Sequence, residues 1–386
     1  MTDLQQSTAR FADTKPHYSL LDGLRGVAAL LVVWYHVFEG YQFGSGAAII
    51  KEINHGYLAV DFFFILSGFV IGYAYDDRWG KTLSMPNFFK RRLIRLHPMV
   101  VMGAVIGLVM FILQGAVAWD GTHATISAMM IALLCAMFMI PAIPGCSYEV
   151  RGNGEMFPLN GPVWSLFFEY IGNILYALFI RKLSTKNLAI LATVLSGALV
   201  WFTVTDPAGY GMFGIGWTLD GLNFVGGLLR MSCPFTIGMF LSRVFKPVAV
   251  KGAFWICSLV LLILFHVPYI EGNGTYCLNG IFEAVCIILI FPVLVWLGAS
   301  GTTTDSFSTR ICTFLGDISF PLYIVHYPFM YYFYAWLIDK KLFTLGETLP
   351  EALITCAVSV IVAWVCLKFY DIPLRKWLSK RFLAKK

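Results

Sequence analysis

The sequence is poor in charge. Only 13% of its 386 residues are Asp, Glu, Lys or Arg, against roughly 25% in a soluble domain. Hydrophobic residues make up 58%, and one core of this size cannot bury that much apolar surface, so a water-soluble globule is excluded. The net charge is a modest +6. Basic residues stand in short clusters rather than on one broad face, which argues against nucleic acid as a partner. No CxxC or Cys/His pattern with ligand spacing occurs, and no metal is expected. The nine cysteines are scattered mostly through apolar runs and read as small buried hydrophobes. Cys146 and Cys277 are the exception: both fall in loops expected on one side and could pair. Residues 1–19 are polar, with no apolar stretch and no A-x-A site, so they read as a disordered cytoplasmic lead-in rather than a signal peptide.

What the chain does have is long apolar runs and aromatics, with 11 Trp, 18 Tyr and 33 Phe. Runs near 24–43, 57–75, 98–118, 163–180, 188–205, 222–241, 253–270, 278–298, 312–336 and 351–370 reach the length that about 30 Å of hydrocarbon demands. The expected fold is an all-α polytopic membrane protein of about ten transmembrane helices. Lys and Arg cluster at 76–97, 181–187, 242–252 and in the tail, and the positive-inside rule puts all four, and both termini, in the cytoplasm. A further run at 126–143 breaks that parity if it crosses. It is therefore read as re-entrant, ended by Pro141 and Pro144 and lining a cavity. Residues 20–372 form one membrane domain and 373–386 a basic cytoplasmic tail.

Ionisable residues inside spans are costly and usually functional. His36, Asp61, Glu169, Arg230 and His326 come from separate runs, yet at 1.5 Å per residue all lie about 18–24 Å from the inner face. They share a cavity, or they are separate structural pairs such as Arg230 with Glu169 or Asp61. Glu39, one turn beyond His36, reads as an interfacial residue in preference to one that orients the imidazole.

The surrounding segments are specific: LDGLRGVAALLVVWYH, VDFFFILSGFVIG, KRRLIRLHP, GPVWSLFFEYIGNILY and LGDISFPLYIVHYPF. In that order they resemble acyltransferase family 3, the bacterial inner-membrane O-acyltransferases. The resemblance runs from residue 21 to residue 328. It implies transfer of an acyl group, most simply acetyl, from a cytoplasmic acyl-CoA to a hydroxyl of an envelope or extracellular glycan.

Arg25 and His36 match the family's Arg-x10-His motif, and His36 is the expected general base, titrating nearest neutral pH. An acyl-imidazole is the other way it could act. Glu169 is the second expected catalytic residue, pairing with His36 or Arg230 or holding the acceptor. Arg91, Arg92 and Arg95 alone are ordinary positive-inside signal. The match of Arg92 and Arg95 to Arg-x-x-Arg implies contact with the donor phosphates, to which guanidinium is suited. Arg25 either touches the donor or anchors its helix. Asp61, Trp164, Ser165, Arg230, Tyr323 and His326 are supporting candidates, Trp164 also suiting an interfacial aromatic belt. The competing readings are a transporter or flippase of donor or glycan, and acylation of a small molecule. Oligomeric state is left open.

Overall fold

The structure is a computed structural model that describes residues 18–248, 250–272, 276–301 and 305–383. The expected lead-in, except Tyr18 and Ser19, and the end of the tail lie outside the described residues. The helices are α1 (Ser19–Ser45), α2 (Ala59–Tyr75), α3 (Met85–Leu113), α4 (Ile126–Met137), α5 (Val163–Leu178), α6 (Thr185–Thr205), α7 (Gly221–Val244), α8 (Ala253–His266), α9 (Leu278–Val285), α10 (Phe291–Ser300), α11 (Ser306–Lys340), α12 (Leu345–Cys366) and α13 (Ile372–Phe382). Single π turns join α9 to α10 and α12 to α13. Among the described residues there is no β-strand, only isolated bridges.

Each run expected to span is helical, and eight helical stretches, with α9–α10 and α12–α13 each counted as one, are long and apolar enough to cross a bilayer; α11, over the run 312–336, lies outside that count. The run at 253–270 falls short: α8 has 14 residues, about 21 Å, and stops at His266 because Pro268 bars continuation. α4 has 12 residues, about 18 Å, too little for a full crossing. It packs through Ala128, Ala132 and Ala136, one helical face, and leaves Ile126, Leu134 and Phe138 exposed. The run at 126–143 lines neither of the two cavities described below; residues 153–162 just after it line the second. The basic tail is helical as far as Phe382. Exposed Leu113, Phe179, Val194, Trp201, Ile263 and Ile354 give the outer surface an apolar coat, as lipid contact requires.

Small residues set the helix spacing, since lipid tails give apolar helices no hydrophobic drive to associate. On α1, Gly23 and Gly26 lie against Cys312 and the backbone of Leu315 of α11. On α2, Gly68 lies against the Phe235 carbonyl of α7, and Gly238 of α7 answers it at Ile65. A methyl at Gly68 would fall on that carbonyl, whereas one at Gly197 of α6 would meet nothing within 4 Å. Gly68→Ala is therefore expected to cost about 1–3 kcal/mol and Gly197→Ala nothing, read as unfolding midpoints in an SDS titration. Equal midpoints would refute the close approach.

α11 carries Pro321 and Pro328 inside its 35 residues. Pro328 has no N–H for the carbonyl of Ile324. Asn160, from the connection before α5, donates its side-chain amide to that oxygen at 2.7 Å. The proline thus ties the irregular 138–162 segment to the central helix.

Candidate active site

Two cavities lie end to end along α1, α2 and α11. The first, of about 300 Å³, is walled wholly by helices and their π turn: Arg25 from α1, Ser67 from α2, Arg92 and Arg95 from α3, Glu169 from α5, Asp317 from α11, and Asp371 and Arg375 at the α12–α13 bend. The second, of about 430 Å³, is lined by His36 and Glu39 of α1, Arg230 of α7 and Tyr327, Tyr331 and Tyr334 of α11. Connecting segments complete it with Trp119, Asn153, Glu155, Tyr210 and Trp217. Val60 and Tyr323 line both cavities and form the neck between them.

His36 is 8% exposed. Its Nδ1 lies 2.7 Å from Glu39 Oε2. An ionised carboxylate only accepts, so the hydrogen-bond network assigns the proton to Nδ1 and leaves the Nε2 lone pair free. Glu39 is held in turn by the Tyr327 hydroxyl at 2.9 Å and the Tyr334 hydroxyl at 3.0 Å. Tyr334 also stands 2.6 Å from the His36 carbonyl oxygen. A base oriented by a carboxylate that is itself anchored is the arrangement general-base chemistry needs. The geometry favours the orienting reading of Glu39 that the sequence placed second. The i, i+3 spacing was the signal for it; the tyrosines that fix it lie nearly 300 positions along the chain.

His326 stacks on His36 with ring centres 5.1 Å apart. It donates from Nδ1 to the Leu322 carbonyl at 3.0 Å, its Nε2 has no partner, and it is fully buried. It lines neither cavity and packs behind His36.

The five mid-depth residues do not share one cavity. Arg230 grips Asp61 with Nε and Nη2 at 3.0–3.2 Å and uses its remaining donors on the Ile215 and Tyr57 carbonyls at 3.0 and 2.7 Å. Asp61 is completely buried. The separate-pair reading holds for these two. Glu169 meets neither His36 nor Arg230. Arg92 Nη2 lies 2.5 Å from its Oε1, and Ser67 donates to the same oxygen at 3.0 Å. Trp164 is 8% exposed and stacks over the Arg230 guanidinium at 5.1 Å, so it belongs to no interfacial belt. Ser165 Oγ and Tyr323 Oη are 2.7 Å apart, in the neck.

In the first cavity Arg25 bonds Asp22 at 3.0 Å, the Ser319 hydroxyl at 2.8 Å and the Gly316 carbonyl at 3.2 Å. Arg92 and Arg95, one turn apart, both reach the cavity; Arg91 does not line it. Arg375 does, and sequence reasoning left it in the tail because nothing local shows that the bend after α12 returns α13 to the bundle. Glu283 stands outside both cavities. It ties Tyr57, the Phe213 backbone at 2.7 Å and Asn279 at 3.1 Å into one buried network. Cys146 and Cys277 are free thiols, not a disulfide, and Cys277 caps α9 with its sulfur 3.3 Å from the Gly280 nitrogen. Among the described residues no group of three or more His, Cys, Asp or Glu is arranged to hold a metal.

Residues 18–368 match a family model described as an acyltransferase domain. The chain is a multi-pass membrane acyltransferase and belongs to acyltransferase family 3. Among its relatives, "Protein 2 in picA locus" of Rhizobium radiobacter is 35% identical over 196 residues, 48% of this chain and 96% of the relative. "Putative O-acetyltransferase SACOL0978" of Staphylococcus aureus (strain COL) is 24% identical over 375 residues, 92% of this chain and 57% of the relative, so the chain spans little more than half of that protein. "Acyltransferase MdmB" of Streptomyces mycarofaciens is 25% identical over 333 residues, 81% of this chain and 79% of the relative. No solved structure matches the chain.

Proposed function

We propose that the protein transfers an acyl group, acetyl in the simplest case, from a cytoplasmic acyl-CoA to a hydroxyl of an envelope or extracellular glycan across a bacterial inner membrane. The observation that carries this reading is the pair of cavities meeting at Val60 and Tyr323, one rich in arginine and the other holding the oriented imidazole. The arginine-rich cavity opens at the end that the positive-inside rule assigns to the cytoplasm. Arg92, Arg95, Arg25 and Arg375 suit the phosphates of the donor, and Glu169 steadies Arg92. The thioester then lies in the neck.

His36 Nε2 takes the proton of the acceptor hydroxyl as its oxygen attacks the thioester carbonyl. The C–O bond forms, the C–S bond breaks, and His36 returns the proton to the departing thiolate. Free thiol and O-acyl ester are the products. Holding both substrates in one bundle replaces a bimolecular encounter and shields the thioester from water.

The test uses the protein in lipid nanodiscs with acetyl-labelled acetyl-CoA, following thiol release and label in ester. His36-dependent thiol release supports the reading. Equal release by wild type and His36→Ala overturns the assignment of His36. Binding of acetyl-CoA without His36-dependent release, even with saccharide acceptors supplied, returns the protein to the transporter reading. Arg92→Ala combined with Arg95→Ala is expected to raise the acetyl-CoA KM about tenfold or more, the loss of charge-assisted hydrogen bonds, and to lower kcat by less. An unchanged KM would remove these arginines from the donor site.

A further inference from the structure

Glu155 lies in the connection between α4 and α5, outside the spanning helices, and lines the second cavity at 7% exposure. Two carboxylates line that cavity. Glu39 is committed to His36; Glu155 makes no ion pair among the described residues. Tyr331 donates to its Oε2. Its Oε1 lies beside Gly161, where even a methyl group would come within 3.2 Å, so glycine keeps the space around that oxygen open.

The nearby cation is turned away. Arg151 is 1% exposed, its guanidinium 3.5 Å from the centre of the Tyr331 ring, and it donates to the Pro158 carbonyl at 2.6 Å and Gln114 Oε1 at 3.0 Å. It sits behind the aromatic wall and lends Glu155 charge without closing on it. Tyr331 packs on Tyr327 with ring centres 4.5 Å apart, and Tyr327 on His36 at 4.7 Å. Glu155 and His36 therefore face one chamber from walls two rings apart, and Asn153, Trp119 and Trp217 line the same chamber. Carboxylate and amide to bond hydroxyls, with indole faces beside them, is the chemistry that recognises a sugar ring.

We propose that Glu155 is an acceptor-positioning residue: its carboxylate accepts hydrogen bonds from the hydroxyls of a sugar and so turns one hydroxyl toward His36 Nε2. This rests on the acyl-transfer reading above. Burial pushes the Glu155 carboxyl up to about 7, against the pull of the Tyr331 hydrogen bond and the Arg151 charge. The other ionisable groups around it are Glu149 in the same connection and, on the chamber wall, His36, Glu39 and Tyr35 of α1, Tyr57, Arg230 of α7, Tyr323, Tyr327 and Tyr334 of α11, and Tyr210 of the 206–220 segment, which also brings the uncharged Thr218 against the Glu155 backbone. Only the ionised form accepts at both oxygens, so sugar binding weakens as pH falls through about 7.

The experiment supplies nanodisc-held protein with acetyl-CoA and, in turn, methyl glucoside, galactoside, rhamnoside and N-acetylglucosaminide, measuring ester formed. Glu155→Gln, which keeps the Tyr331 contact, is expected to raise the sugar KM about 10- to 100-fold. The acetyl-CoA KM should stay within about twofold, because the donor lies in the other cavity. The rise in wild-type sugar KM on acidification should vanish in Glu155→Gln and persist in Glu155→Asp. Each sugar should also protect Glu155 from carbodiimide coupling, read by peptide mass spectrometry. Parallel changes in both KM values, or none, overturn the proposal. So does His36-dependent thiol release that no sugar accelerates with no sugar protecting Glu155, an outcome that leaves acyl transfer itself standing. Loss of His36 dependence would instead bring down the underlying reading.

Discussion

His36→Ala is expected to lower kcat by about 10³-fold or more while folded protein still reaches the membrane. The imidazole is the one group with a free lone pair on the second cavity whose tautomer is set by a carboxylate. Removing it leaves the acceptor hydroxyl without a base and the departing thiolate without an acid. The fold does not need it: His36 bonds Glu39 within its own helix, and the Tyr334 contact goes to its backbone carbonyl.

Glu39→Gln separates orientation from chemistry. An amide at position 39 can donate to Nδ1 and drive the proton onto Nε2, where it blocks proton uptake. A loss of about 10²-fold in kcat is expected, with the acetyl-CoA KM unchanged and with little further loss when His36→Ala is added, because the two act as one unit. Steady-state rates of the three variants check this. Additive losses, or Glu39→Gln at wild-type rate, would break the dyad.

The second large effect falls on stability. Asp61→Asn, or Arg230→Met alone, leaves a charged partner stranded among apolar side chains, since both residues are buried to 2% exposure or less. Stranding one member of a buried ion pair costs about 3–5 kcal/mol, whereas exchanging both for apolar residues of like volume is close to neutral. Asp61→Leu with Arg230→Met is therefore expected to unfold nearer to wild type than either single variant. The Arg230 donors to the Ile215 and Tyr57 carbonyls make full recovery unattainable. Reversible SDS titration gives the three midpoints. A double variant less stable than both singles would mean that those carbonyl contacts, not the ion pair, dominate the site.

The helices were legible in the sequence because a bilayer imposes length and hydropathy on each span separately. Arg25, His36, Arg92 and Arg95 were singled out through the family resemblance, whose short motifs each lie within one helix. Depth estimates allowed the Arg230 pairing with Asp61 that the structure has, but gave Glu169 the wrong partners, since height along a helix says nothing about the direction a side chain faces. Glu169 proved to look toward Arg92 of α3. The hold on Glu39 was not legible because the tyrosines that bond it come from α11, far along the chain. Arg375 and Glu155 depend on a π-turn bend and an irregular connection, neither of which has a periodic pattern to read.

The two cavities are also built from different material. The arginine-rich one is framed by helices alone, α1 and α11 held together by glycine contacts and α3 and α5 by the Arg92–Glu169 pair; the other borrows much of its wall from connecting segments. Connections tolerate substitution and insertion far better than packed helices. If the second cavity takes the acceptor, as proposed, rewriting residues 138–162 and 206–220 is expected to change the molecule that is acylated and to leave the charged cavity as it is. On that reading the choice of product is written into loops and the chemistry into helices.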